Sequence, residues 1–138
     1  MTVETDVIDG ILSAAVSAIG SSYPIKASGI TFKSPDDGKF IELVLIQDNN
    51  GSETWGNEEL FSGFLRVILH WPIDGQGVIP PSRVLADLKP SFAKGTTIRQ
   101  GAARLLIYDV PRITDVIEED AENLYPMTVR YQFFHAPA

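Results

Sequence analysis

Apolar residues recur at two periods along this chain, and the changes of period mark out its elements. Between Thr5 and Ile19 they fall at Ile8, Ile11, Leu12, Ala15 and Ile19, the three- and four-residue spacing of one helix face. Thr5 or Thr2 would cap that helix, and Gly20 would stop it. Tyr23-Pro24-Ile25 predicts a short extended piece at an edge, because Pro24 has no amide to give a central ladder. After the turn chemistry of Pro35-Asp36-Asp37-Gly38, residues Phe40 to Gln47 are apolar except for Glu42. That run predicts a strand covered on both faces. From Asp48 to Glu59 the chain is polar and reads as a long loop around Trp55. Leu60 to Trp71 then alternates, with Phe61, Gly63, Leu65, Val67, Leu69 and Trp71 on one face and Ser62, Phe64, Arg66, Ile68 and His70 on the other.

Pro72 to Gly77 breaks that strand, and Pro80-Pro81-Ser82 opens a second helix whose inward stripe is Val84, Leu85 and Leu88. Pro90 ends it near Lys89 or kinks it toward Phe92. Lys94-Gly95-Thr96 is the exit, Thr97 to Gln100 and Ala103 to Val110 are strand pieces, and Pro111 bends the chain into the acidic run Glu118-Glu119-Asp120. The last strand, Ala121 to Phe134, alternates strictly: Tyr125, Met127, Val129, Tyr131 and Phe133 share one face against Thr128, Arg130 and Gln132. The order of helix, strands, helix, strands is that of an α+β fold, with two helices packed on a largely antiparallel, mixed β-sheet in a single domain spanning residues 1–138.

Composition narrows the function classes. A formal charge of -7 with 11 scattered basic residues argues against gripping nucleic acid by phosphate neutralisation. The chain has no cysteine, hence no disulfide framework and no thiolate chemistry. Glu4, Asp6 and Asp9 stand where a secretory signal would be positive, and no apolar run reaches membrane-spanning length. The expectation is a chain neither exported by the usual route nor embedded in a membrane.

Candidate chemistry is sparse. His70 and His135 lie in no catalytic or metal-binding pattern, and His70 is expected to be a sheet histidine with satisfied hydrogen bonds. Asp48, Asn50, Ser52 and Glu59 have the spacing of a calcium loop, but Glu53 occupies the position that requires glycine, and strands flank the segment where helices should. Gly75-Gln76-Gly77 lacks the rest of a phosphate-binding fingerprint. No cofactor or metal is implied, and an enzyme is the least supported class. Contacts with other proteins fit better. Trp55, set among Asp48, Asn50, Glu53, Glu58 and Glu59, is a large apolar group in a polar loop that would anchor a partner or fold back on its own core. Arg66 would pair with acidic residues of a neighbour or with Glu42 in its own sheet, and Glu118, Glu119 and Asp120 read as a solvated acidic loop open to contact.

The order of elements resembles the tail terminator, or tail completion, proteins of long-tailed bacteriophages. The phrases that carry the resemblance are Leu65-Arg66-Val67-Ile68-Leu69-His70-Trp71, Val84-Leu85-Ala86-Asp87-Leu88, Lys94-Gly95-Thr96 and Tyr125-Pro126-Met127-Thr128-Val129-Arg130-Tyr131. The resemblance implies a virion protein, assembled in the host cytoplasm, that forms a hexameric ring on the finished tail tube. Its implied partners are further copies of itself, the tail tube protein and the head-tail connector or stopper protein, with DNA passing through the lumen without specific binding. It implies no catalytic residue. The competing roles are a head-side neck or stopper protein, another minor tail protein, and an enzyme using His70 with a nearby carboxylate.

Overall fold

A computed structural model describes residues 3–27, 31–51, 59–73, 75, 77–100 and 103–135. Two helices, α1 (Val3–Ile19) and α2 (Ile79–Leu88), accompany strands β1 (Ile25–Ala27), β2 (Phe40–Gly51), β3 (Glu59–Pro72), β4 (Thr97–Gln100), β5 (Ala103–Ile107), β6 (Arg112–Ile113), β7 (Ile117–Glu118) and β8 (Glu122–His135). All these strands join one sheet in the order β1-β2-β3-β8-β5-β4, with β6 and β7 also pairing on β8. Only β1 and β2 run parallel among these pairs, so the sheet is mixed and largely antiparallel. The α+β architecture of two helices on such a sheet is therefore the one the periodicity predicts.

Strict alternation in β3 and β8 decides which way the sheet faces. Their ladder pairs Leu65 with Val129, Val67 with Met127 and Leu69 with Tyr125, and all six are buried. Beside them Ile41 and Leu43 of β2 and Leu105 and Ile107 of β5 complete the apolar floor. Each such side chain withdrawn from water contributes about 1.5–3 kcal/mol, so one registered face supplies most of the driving force. The helices cover this face, α1 against β4 and β5 and α2 against β3 and β8.

Local details depart from the periodic reading where tertiary contacts outweigh it. In α1 the buried row is Val7, Ile11, Ala15 and Ile19, while Ile8 is 39% exposed. Val7 and Ile8 are adjacent, so spacing alone could not choose between them. Thr5 lies inside the helix and not at its cap, and Thr2 falls outside the described residues. Gly20 does end the helix, at φ 64°, with its amide donating to the Val16 carbonyl at 2.9 Å. Pro81, Leu85 and Leu88 are buried in α2, and a 3-10 turn over Lys89–Phe92 carries the chain past Pro90 to bury Phe92.

Asp48, Asn49 and Asn50 were expected in a loop but belong to β2. The register shifts between Gln47 and Asn49, a bulge at Asp48, and then continues from Asn49↔Ser62 to Gly51↔Leu60. Glu59 likewise opens β3, paired with His135. Asp and Asn favour turns in isolation, but a long partner strand offers their backbone a ladder. At the other end β5 stops at Ile107 and not Val110. The Ile107 amide donates to Thr96 O at 2.9 Å, Gly95 N donates to Ile107 O at 2.7 Å, and Asp109 Oδ1 accepts the Val110 amide at 2.8 Å. Glu118, expected in a loop, sits in β7 opposite Asn123.

Gly63 marks a close approach within the sheet. A Cβ there would lie 2.5 Å from the Ile46 carbonyl oxygen and 2.8 Å from the Tyr131 hydroxyl, its cross-strand partner. The Tyr131 ring fills the space glycine leaves, and burial pushes its phenol up to about 12.

Candidate assembly surface

Even-numbered residues of β3 and β8, with Glu42, Val44 and Ile46 of β2, form the second face of the sheet, which no helix among the described residues covers. The expectation that β2 is covered on both faces fails here. Phe40 is buried against Phe32, with ring centroids 4.8 Å apart, but Val44 is half-buried and Ile46 is 37% exposed. Phe64, Ile68, Thr128 and Gln132 are half-buried on the same face, and Leu106 of β5 is 37% exposed. An apolar strand face without a covering layer is what a partner would cover.

The two ends of this face differ in charge. At one end His70 is buried beneath Phe40, stacked at 4.1 Å and 12°. Its Nε2 lies 2.9 Å from Glu42 Oε1 and its Nδ1 lies 3.1 Å from Glu122 Oε1. The three side chains therefore pin β2, β3 and β8 together. Both ring nitrogens of His70 are thus engaged within the sheet, as expected of a sheet histidine with satisfied hydrogen bonds. Among the described residues no group of three His, Cys, Asp or Glu is placed to hold a metal ion.

Arginines gather at the other end. Phe64 pairs directly with Arg130, and the guanidinium carbons of Arg66 and Arg130 lie 5.7 Å and 5.6 Å from its ring centroid. Such contacts contribute about 0.5–1 kcal/mol at exposed sites and hold the cations over the aromatic ring. Arg99 and Arg104 oppose each other across β4 and β5, in the register that puts Leu106 beside Gln132. Arg112, opposite Thr128, completes the set and has an ion pair with Asp109 at 3.4 Å. Every arginine of the chain except Arg83 is thus on this face.

The predicted contact residues are dispersed over this framework. Glu42, one of the two predicted partners of Arg66, is bound to His70 instead, and Arg66 is exposed over Phe64. Glu118, Glu119 and Asp120 are all exposed on the hairpin between β7 and β8, closed by the Glu119 amide donating to Glu122 O at 2.9 Å. Exposed Ile117 precedes them. Asp48 and Asn50 lie in β2 and Glu59 in β3, while Glu53, Trp55 and Glu58 fall outside the described residues. Sequence reading missed Arg99, Arg104, Arg112 and Arg130 as a group. Alternation had already put Arg66 and Arg130 on polar faces; the signal lacking was the register that joins four strands.

The family described as phage tail terminator protein matches residues 7–131, from the first buried residue of α1 into β8. The chain belongs to this family. It is a structural protein of the phage tail and a component of the virion. Solved structures share the chain's fold. One superimposes with a TM-score of 0.74 at 17% identity, covering 93% of this chain and 96% of the other. A chain from the virion of a native gene transfer agent particle gives a TM-score of 0.60 at 12% identity, covering 97% and 98%. No curated protein matches the chain in sequence. Among the described residues no helix is long and apolar enough to cross a membrane.

Proposed function

We propose that this terminator closes the finished tail tube as a ring, six copies around, after assembling in the host cytoplasm. The ring occupies the site at which the next tube subunit would add, so polymerisation stops. Its opposite side meets the head connector or stopper protein, and DNA crosses its lumen without sequence-specific contact. The family match over residues 7–131 carries this reading. Two properties of the chain support it: a sheet face left uncovered among the described residues, and a net charge of -7 that disfavours lasting adhesion to a polyanion.

Tail assembly with the terminator omitted tests the proposal. Tubes are expected to grow past their normal length and fail to join heads, and added protein should restore both length and joining. Tails of normal length that still join heads would overturn it, as would labelled protein found away from the head-proximal end of the tube.

A further inference from the structure

We infer that the arginine-rich end of the open sheet face receives the acidic hairpin, Glu118-Glu119-Asp120, of a second copy of this chain. Four arginines on that face, Arg66, Arg99, Arg104 and Arg130, have no carboxylate partner among the described residues. Arg99 and Arg104 stand directly opposite each other, a like-charge cross-strand pair that disfavours the isolated sheet. In a chain of net charge -7, this is a concentration of positive charge that invites an anionic partner.

The hairpin has matching chemistry. Its acidic residues are exposed, and Ile117 beside them is 51% exposed, as the arginines are interleaved with Phe64, Ile46 and Leu106. The two patches cannot meet within one chain. Ile117 pairs with Leu124, six residues before Arg130 on the same strand, which is roughly 20 Å at about 3.3 Å per residue. Complementary patches held apart on a rigid strand join different copies head to tail, and such heterologous contacts generate a ring when the rotation closes. A nucleic acid would also seek arginines, but the apolar interleaving and the overall negative charge favour the protein partner. The inference rests on the ring reading only for closure; the pairwise contact is tested independently of it.

The absence of cysteine allows a direct test. One preparation carries Arg130→Cys and another Asp120→Cys, and they are mixed under mild oxidation. The mixed disulfide should form roughly tenfold faster than either self-disulfide, with the advantage fading as salt rises. Equal rates, or dominant self-disulfides, would overturn the contact. A second arm reverses charge on the two patches: Arg66→Glu with Arg130→Glu in one variant, and Glu118→Lys, Glu119→Lys and Asp120→Lys in the other. Each variant alone should associate about tenfold more weakly than wild type, and their mixture should recover. Failure to recover, with both variants folded by circular dichroism, sinks the inference. So does unchanged self-association coupled with lost binding to a short DNA duplex. A chain carrying both cysteines distinguishes the two readings. An open ladder of cross-linked copies keeps the contact and overturns the ring, whereas a ring seen by microscopy that cross-links at neither position keeps the ring and overturns the contact.

Discussion

Gly63 and Tyr131 show how one cross-strand pair sets limits on the whole sheet. Because a Cβ at position 63 would press on a backbone carbonyl that cannot swing away, Gly63→Ala should cost about 1–3 kcal/mol in denaturant unfolding. An unchanged midpoint would show that β2 yields locally. The Tyr131 hydroxyl has no hydrogen-bond partner among the described residues, so Tyr131→Phe should change stability at neutral pH by less than about 1 kcal/mol. Its pH signature is sharper. The folded chain holds the neutral phenol up to about 12 against an ordinary value of 10, so this contribution is complete below pH 10 and is lost as pH rises toward 12. Thermal melts should fall less steeply between pH 10 and 12 for Tyr131→Phe than for wild type. Equal slopes would show that the phenol ionises as readily in the fold as outside it. Alternation assigned Tyr131 to the buried face, but the burial that shifts its phenol comes from strands and helices distant in sequence.

At the scale of elements, the long strands were legible and the short ones were not. Twelve or more alternating residues fix a face by repetition, as in β3 and β8, whereas β6 and β7 have two residues each and exist because β8 offers an edge. The polar stretch after Gln47 read as loop for the same reason: its side chains resemble a turn, and its pairing with Ser62, Phe61 and Leu60 is a property of the ladder. Trp55 stands between Gly51 and Glu59 in sequence and outside the described residues. If Trp55 anchors a partner, Trp55→Ala leaves the melting temperature nearly unchanged and abolishes assembly, read by light scattering with tail tubes present. A large loss of monomer stability would assign the ring to the chain's own core.

For the whole molecule, the decisive property is asymmetry of cover. One face of the sheet carries both helices and the core, and the other carries Phe64, Ile46, Leu106 and most of the arginines with no helix above them among the described residues. The expected overgrowth of tubes lacking the terminator belongs to this scale, since length control requires a complete assembled surface and no single residue supplies it. By itself the sequence determined the two helices and the alternating faces of β3 and β8, because periods of 3.6 and 2 are written in neighbouring residues. Only the tertiary structure decided that Glu42 meets His70 and not Arg66, that the outer side of β2 stays open, and that arginines from β3, β4, β5, β6 and β8 share one surface. Those facts depend on strand order and register, and residues as far apart as Arg66 and Arg130 become neighbours only when the ladder between their strands has formed.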